Sequence, residues 1–513
     1  MILAFVAALI IAGLIAAQYA IHHAEPMLRA KVIESLSQRF NSQVQLGEFH
    51  VAVLKGLEVE GKDLSLRSNL DPSLPPQIRV GQFTFHTGLL DVFRSPMHID
   101  QVNLNGLVLM IPPKGERSAM PKAKSKKGHG KISIEISKIV CNDTVLTLMT
   151  DDPSKTPMRF EIHALTLKRV GAHKPMHFDA QLVNPKPVGT IDTSGTFGPW
   201  DADQPSNSPV TGTYSFTHAD LSTTHGITGI LSSKGKYSGP LDTITVDGTT
   251  DTPDFSVDVS GHPVNLSTKF HAIVNGTNGN TYLQPVQAHF LNTDVTAKGY
   301  VVRGKGGKGH DIYLDVVIDN GRIEDLLTIG AKTDSPVMKG PVQLKTKFDL
   351  PTGKASVSHR LKLEGTFSVH DALFTNLKIQ EKVDELSLRA RGKSDDAKQL
   401  SQKKVSASNP PPAIPVSVTS PFTLANQKVT LSNLVFKTQG AEIQLSGNYA
   451  LDGKQFDFTG HARMDASVSN IVGGWKGKLL TPLNPFLSKN GAGTQIPIKI
   501  TGTQSDPHFG LNF

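Results

Sequence analysis

The sequence is poor in cysteine and in aromatic residues, and its histidines are not grouped as metal ligands are. Among 513 residues there are one cysteine, Cys141, and two tryptophans, and aromatic residues make up 6%. A single cysteine excludes an internal disulfide. The 19 histidines are scattered, and no H-x-x-x-H or H-E-x-x-H spacing falls on a helix. No nucleophile stands at readable spacing from a base, so we expect no catalytic residue, no cofactor and no metal ion.

Positive charge is concentrated in one short segment. The window from Lys114 to Lys131 holds seven basic residues and one acid, so it carries +6 of the formal net charge of +8. Its composition is rich in Pro, Gly and Ser, which is typical of a solvated loop. A nucleic-acid groove would spread cations over a folded face and interleave aromatic side chains. We therefore expect no nucleic-acid partner, and contact with anionic lipid headgroups stays the alternative for this loop.

The chain begins with a hydrocarbon segment. Residues 2–21 carry no charge, and twenty helical residues span ~30 Å, the thickness of a bilayer core. No basic n-region and no A-x-A-like site accompany the segment, which favours an uncleaved anchor over a signal peptide. Arg29 and Lys31 follow it, which argues against export of the rest, although long domains cross regardless of local charge. The residues expected to lie in the membrane include Leu3, Phe5, Leu9, Ile10 and Leu14.

An amphipathic helix is predicted directly after this segment. In residues 26–40 the apolar side chains Leu28, Val32, Leu36 and Phe40 recur every four residues. The charged residues lie away from that stripe, as expected for a helix that buries one face. Such a helix lies on a membrane surface or caps the apolar end of the structure that follows. Capping is favoured, because only two cations would face an acidic lipid surface.

From Val44 onwards the dominant hydrophobic period is two. Segments such as QVNLNGLVLMI, ISIEIS, HDIYLDVVID and AEIQLSGNYALDG alternate apolar and polar residues, with the register shifting near Gly81 and Gly106. Asp-Gly, Asn-Gly and Gly-Pro turns separate them, which is typical of hairpins. The pattern predicts roughly 25 strands. The expected fold class is therefore mostly β, an elongated, curled antiparallel sheet that forms a groove, with an N-terminal transmembrane helix and an amphipathic helix.

Few segments interrupt this ladder. Helical stretches are predicted near 88–94, at 321–330 and around 470–489, and the segment at 393–415 is predicted to be a disordered linker that divides the ladder. RGKGGKG at 303–309 lacks the strand–loop–helix context of a phosphate-binding loop. The resulting organisation is a transmembrane anchor at 1–22, the amphipathic helix and first strands at 23–111, a basic loop at 112–131, a central ladder at 132–392, a linker at 393–415 and a C-terminal strand region at 416–513.

Strict alternation gives each sheet one apolar face, and two arrangements would use it. Two sheets packed face to face would form solid sandwiches. A single sheet that curls over its own apolar face would instead leave a channel, and the scarcity of linkers favours this elongated form. Near the anchor, one face of the opening strands supplies the predicted groove lining: Val44, Leu46, Val51, Val53, Leu57 and Val59.

The order of these parts resembles that of the bacterial AsmA family, which is related to TamB proteins and to chorein-type bridge-like lipid-transfer proteins. The resemblance rests at the front on the anchor and on LRAKVIESLSQRFNSQVQLGEFHVAVLKGLEVEGKDLSLR. At the back it rests on GAEIQLSGNYALDGKQFDFTGHARMDASVSN and on NPFLSKNGAGTQIPIKITGTQSDPHFGLNF, in which a P-I-x-I-x-G-T strand precedes a D-P-x-F turn.

The resemblance implies a location and a function. It implies a single-pass protein of the bacterial inner membrane with a periplasmic body, whose groove carries the acyl chains of phospholipids towards the outer membrane. The expected function is therefore non-enzymatic lipid transfer in outer-membrane biogenesis. The alternative is an anchored β-rich scaffold that assists assembly of outer-membrane proteins and carries no lipid. Expected partners are phospholipid, the inner membrane and assembly proteins of the periplasm or outer membrane.

Overall fold

The computed structural model describes most of the chain. The described residues are 5–13, 25–53, 56–69, 75–88, 91, 97–111, 134–149, 157–171, 174–199, 201, 204–224, 226–258, 261–304, 309–330, 335–402, 412–451, 455–472, 493–503 and 507–511. The chain divides into two units. Unit 1 comprises Met1–Thr224 and Leu231–Gly248, and unit 2 comprises His225–Ile230 and Thr249–Phe513.

The described residues are mostly β-strand, as the alternation predicts. The strands are β1 Ser42–Gln45, β2 Phe49–Val53, β3 Leu57–Ser68, β4 Ile78–Thr87, β5 Met97–Ile111, β6 Ile134–Leu148, β7 Met158–Val170, β8 Met176–Pro185, β9 Val188–Phe197, β10 Pro209–Asp220, β11 Ile227–Thr228, β12 Ile230–Pro240, β13 Ile244–Val257, β14 Val264–Val274, β15 Thr281–Phe290, β16 Thr293–Arg303, β17 His310–Arg322, β18 Met338–Lys339, β19 Pro341–Leu350, β20 Lys362–Phe374, β21 Val416–Ala425, β22 Lys428–Thr438, β23 Ala441–Ala450, β24 Gln455–Met464, β25 Thr494–Thr503 and β26 Pro507–Leu511.

Helices are few and short. Residues 5–13 are helical. The others are α1 Glu25–Phe40, α2 Ile323–Gly330, α3 Val357–Arg360, α4 Leu377–Ala390, α5 Ser394–Gln402 and α6 Val468–Val472, with 3-10 turns at Pro205–Asn207 and Leu221–Thr223. The helix predicted at 321–330 is confirmed by α2. The predicted helices at 88–94 and 470–489 and the basic loop at 112–131 fall largely or wholly outside the described residues.

The strands of unit 1 form an open, curled sheet in chain order. Strands β1 and β2 both pair with β3, and from β3 to β10 each strand pairs with the next. All of these pairs are antiparallel except β5–β6, in which Met97 lies beside Ile134 and Ile111 beside Leu148. The predicted antiparallel sheet is therefore confirmed, with one parallel pair as an exception. Parallel neighbours need a crossover between opposite strand ends, which a tight hairpin turn does not supply.

Most strands of unit 2 also pair with the next strand in the chain. From β14 to β17 and from β19 to β26 each strand pairs antiparallel with the next, and β17 pairs with β19. The two-residue strands β11 and β18 pair with β13 and β20. Strands β20 and β21 pair directly, with Leu363 beside Leu424, although the predicted linker lies between them in sequence. That segment therefore does not divide the ladder, and its first part forms α5.

The core of unit 1 lies where α1 meets the first strands. Val32, Leu36 and Phe40, four residues apart on α1, are each at most 3% exposed and pack with β-strand residues such as Val59 and Phe85. The predicted amphipathic helix is confirmed, and its apolar stripe covers one end of the apolar sheet face. Residues 5–13 join the same cluster, with the rings of Phe5 and Phe40 6.2 Å apart.

Unit 2 has a smaller core at one end of its strands. Val342, Val369, Ala372 and Val416 from β19, β20 and β21 pack with Val383 of α4. Helix α4 begins after Asn376, whose side chain accepts hydrogen bonds from the backbone N–H groups of Lys378 and Ile379. An Asn at this position satisfies backbone donors that the first helical turn leaves open. Among the described residues, no helix has the length and hydrophobicity needed to cross a bilayer.

Candidate functional site on the apolar sheet face

Ladder pairing places apolar side chains of neighbouring strands side by side in unit 2. The surface they form is called here the apolar face of unit 2. It includes the lateral pairs Ala297 and Val316, Leu314 and Phe348, Phe348 and Leu363, Leu363 and Leu424, Phe422 and Leu431, Leu434 and Leu445, Tyr449 and Phe456, and Phe458 and Ile500. Because residues i and i+2 of a strand share a face, these pairs define one continuous apolar surface from β16 to β25.

Most side chains of this face are half-buried, and Leu424 and Leu445 are buried. On β16, Val295, Ala297 and Val301 are half-buried, whereas Thr296 and Lys298 between them are exposed. The same alternation runs through β15, β19 and β20. Facing sheets of a sandwich interdigitate and bury the side chains between them. The side chains of a half-buried face are therefore shielded only by adjacent side chains of the same sheet, and the face remains open to a ligand.

Unit 1 carries a matching apolar face on β8, β9 and β10. Its lateral pairs are Met176 and Phe197, Leu182 and Ile191, Phe197 and Val210, and Ile191 and Phe216. Between these pairs the face carries side chains with hydroxyl groups, namely Thr193 and Tyr214. Sequence reasoning did not single out these hydroxyl groups. The signal was present, because alternation in VTGTYSFTH places Tyr214 on the same face as Phe216.

Five of the six predicted groove residues lie in a packed core. Leu46, Leu57 and Val59 are at most 2% exposed and belong to the cluster beneath α1, while Val44 and Val51 are half-buried against it. The backbone of Val53 pairs with that of Leu57. In this part of unit 1 the apolar face is filled by protein side chains, because α1 and residues 5–13 cover it. The structure thus places the open apolar face on later strands than the sequence suggested.

Three of the five predicted anchor residues lie within the described part of the chain. Phe5, Leu9 and Ile10 are at most 2% exposed and pack in the same cluster as β3, β4 and β5. A Cβ atom on Gly13 would overlap the ring of Phe85, so this helix lies directly against the sheet. Leu3 and Leu14 lie outside the described residues. The apolar sheet face is therefore able to hold a hydrocarbon-rich segment along its surface.

The opposite face of each sheet is polar and charged. Cross-strand ion pairs lie on it, including Lys168 with Asp179 at 3.4 Å and Lys437 with Glu442 at 3.1 Å. Hydrogen bonds from Gln444 and Lys437 lower the pKa of Glu442 below its ordinary value. Exposed pairs of this kind contribute little stability, typically below ~1 kcal/mol. Their consequence is a solvated outer surface with both signs of charge interspersed.

Hollows open along this polar face in both units. One of about 600 Å³ in unit 2 is lined by residues that include Lys345, Lys347 and Glu364, and one of about 930 Å³ in unit 1 by residues that include Lys168 and Asp179. Most of the residues that line these two hollows have polar side chains. Among the described residues, no three potential metal ligands lie close enough together to hold a metal ion. The chemistry best supported by the arrangement is contact with apolar chains on the opposite face.

Comparison of the chain with family models, with curated proteins and with solved structures found no match. The resemblance to the AsmA family therefore stays a prediction from the sequence motifs.

Proposed function

We propose that this protein is a lipid-transfer conduit of the bacterial envelope, in which the open apolar sheet face holds phospholipid acyl chains and the headgroups stay in water. The observation that carries the proposal is the mostly half-buried, laterally continuous apolar face of β16 to β25. If protein covered this face, no ligand could contact it. Because the face is open, an apolar surface of this length is costly to expose to water, which favours a ligand that covers it.

The energetics favour such a role. Transferring a methylene group out of water is worth ~0.8 kcal/mol, so two acyl chains of about 15 carbons each face roughly 20–25 kcal/mol on entering water. An apolar face that accompanies the chains removes most of this barrier. The transfer makes and breaks no covalent bond, so the proposed function is non-enzymatic and passive.

We further propose that residues 1–22 insert into the inner membrane as an anchor, which requires residues 5–13 to leave the sheet face that they cover in the structure, and that the body lies in the periplasm. The support is the uncharged sequence around Leu3, Phe5, Leu9, Ile10 and Leu14, together with the AsmA-like order of parts. Inner-membrane phospholipid is then the expected ligand, and assembly proteins of the periplasm or outer membrane are the expected partners. Helix α1, packed over the first strands, would form the membrane-proximal cap of the apolar face.

Photocrosslinking tests the proposal. A benzophenone amino acid replaces Leu431, which is half-buried on the apolar face of β22, or its exposed neighbour Ser432 on the polar face. After irradiation of membranes that contain the full-length protein, mass spectrometry should detect lipid adducts at 431 and not at 432. Lipid adducts at 432 alone, or at neither position, would overturn the proposal.

The scaffold alternative is favoured by a different observation. Strand β26 pairs with β25 on one side, and no further strand among the described residues pairs with its other edge. An open edge of this kind is able to accept an added strand from a partner protein. In that case a crosslinker on the β26 edge would give protein adducts, and Leu431 would give no lipid adducts.

A further inference from the structure

Four hydroxyl side chains lie together on the apolar face of unit 1. Thr193 of β9 and Tyr214 of β10 are lateral neighbours, and Ser233 and Tyr237 belong to β12. The oxygen of Tyr237 lies 2.7 Å from Oγ1 of Thr193, and the oxygen of Tyr214 lies 3.0 Å from Oγ of Ser233. These four residues are called here the hydroxyl cluster. It interrupts a surface that is otherwise apolar, with Ile191 and Phe216 beside it.

Two glycines hold the tyrosine rings against the sheet. A Cβ atom on Gly212 would lie 2.5 Å from the Tyr237 hydroxyl oxygen, and one on Gly235 would lie 2.9 Å from a ring carbon of Tyr214. Each ring therefore lies over a glycine of the neighbouring strand, with the two ring centroids 6.5 Å apart. Because the rings lie low on the sheet, the cluster adds polar groups without filling the apolar face.

One hydroxyl hydrogen of the cluster has no acceptor among the described residues. The Thr193 hydroxyl donates to the carbonyl oxygen of Thr213, so Tyr237 donates to Thr193. In the Tyr214–Ser233 pair one hydroxyl donates to the other, and the accepting hydroxyl has a hydrogen with no acceptor among the described residues. Burial raises the pKa of Tyr214 and of Tyr237 above the ordinary value of 10.0, so both keep their protons at neutral pH.

A donor on an apolar surface calls for a ligand that combines an acceptor oxygen with hydrocarbon. The ester carbonyl of a glycerolipid is such an acceptor, because it lies at the junction of the acyl chains and the polar headgroup. A hydroxyl left without a partner on this face is costly once lipid excludes water. We propose that the hydroxyl cluster binds the ester carbonyl oxygens of a glycerolipid whose chains lie on the apolar face. This inference rests on the proposed lipid-transfer function and adds a site that recognises the ester linkage.

A pair of lipids that differ only in this linkage tests the inference. Full-length protein held in amphipol is incubated with vesicles that contain equal amounts of dioleoyl phosphatidylcholine and its dioleyl diether analogue. The protein is then re-isolated and its lipid quantified by mass spectrometry. One net hydrogen bond is worth about 1 kcal/mol, which corresponds to about a five-fold enrichment of the diester lipid. The Y214F/S233A variant, which removes both hydroxyl groups of the pair without adding volume, should bind both lipids equally. Either single variant would leave one free donor, so if the double variant does not fold, the diester preference of the wild-type protein is the readout.

The control variant is Y282F/Y300F. Tyr282 and Tyr300 are lateral neighbours on the exposed face of β15 and β16, 45% and 37% exposed, so their hydroxyl groups lie away from the apolar face. This control should keep the diester preference. Equal binding of the two lipids by the wild-type protein, or a preference that survives in Y214F/S233A, would overturn the role of the cluster. Recovery of neither lipid would overturn the proposed function itself.

Discussion

The carboxylate of Asp384 in α4 accepts a hydrogen bond from the backbone N–H of Ile414 at 2.8 Å, just ahead of β21. The side-chain amide of Gln380 donates to the same oxygen at 2.8 Å, and the second oxygen accepts from the backbone N–H of Ala413 at 2.9 Å. Asp384 is fully buried. This set of hydrogen bonds fixes the chain against α4 as it returns to the sheet, and so positions β21 beside β20.

We expect Asp384→Ala to destabilise unit 2 around the start of β21. The buried N–H of Ile414 and the part-buried N–H of Ala413 would lose their acceptor, and an unsatisfied buried donor costs about 1–3 kcal/mol. Amide hydrogen exchange should show faster exchange at Ala413 and Ile414, with a lower temperature of thermal unfolding. Asp396→Ala, on the exposed side of α5, is the control and should shift stability by no more than about 0.5 kcal/mol. Unchanged exchange at Ala413 and Ile414 would contradict the role given to Asp384.

The same region marks the limit of prediction from the sequence. Helix α4 was not predicted, because Leu386 and Leu388 continue the two-residue period of the strands around them, and Gln380, Asp384 and Ser387 place polar side chains on its buried face. The polar composition of 393–415 was interpreted as a linker, whereas α5 occupies 394–402. The Asn376 cap was the available signal for α4. Buried polar contacts between residues far apart in the chain produce no periodic pattern in the sequence, so the sequence did not predict them.

The Glu324 side chain predicts a pH dependence. Burial alone would raise its pKa, but hydrogen bonds from the Gly340 N–H at 3.0 Å and from Arg322 at 2.9 Å outweigh burial and hold the pKa below its ordinary value of 4.5. A lowered folded-state pKa stabilises the fold above the unfolded pKa, and this contribution is lost as the pH falls through the folded pKa. Unit 2 should therefore lose stability below about pH 4.5.

The measurement is the temperature of thermal unfolding as a function of pH for the wild type and Glu324→Gln. The glutamine still accepts from Gly340 but carries no charge, so the difference between the two proteins should shrink on acidification. Glu364→Gln on the exposed side of β20 controls for general charge effects. A difference that stays constant from neutral pH to below 4.5 would show that the Glu324 charge contributes nothing.

Cys141 should be unreactive in the folded protein. Its side chain is fully buried on β6, beside Leu104 of β5 and Leu165 of β7, and burial raises the pKa of the thiol to about 11. The thiolate is the reactive form, so both access and ionisation oppose labelling. A maleimide should leave the native protein unmodified at neutral pH and modify one site after unfolding in urea. Rapid labelling of the native protein would contradict the buried position of Cys141.

The alternation of the sequence predicted which residues share a face, but not which part of that face is filled. Val59 and Val316 stand in equally regular patterns, yet Val59 is fully buried beneath the helices and Val316 is half-buried on an open face. The difference depends on where α1 and residues 5–13 lie, which is tertiary information. The parallel β5–β6 pair was unpredictable for the same reason, because a period of two is common to both strand directions.

Gly299 lies at the centre of β16 on the apolar face, beside Leu314 of β17. Its φ is +155°, and a Cβ atom there would overlap the carbonyl oxygen of Tyr313. That oxygen belongs to the backbone and moves only with the strand. Gly299→Ala should therefore force the two strands apart at a cost of about 1–3 kcal/mol, with a lower temperature of thermal unfolding and faster amide exchange in β16 and β17. Gly330→Ala is the matched control, since no atom lies within 4 Å of a Cβ at the end of α2. Equal stability of the two alanine variants would show that the close strand approach at Gly299 does not constrain the sheet.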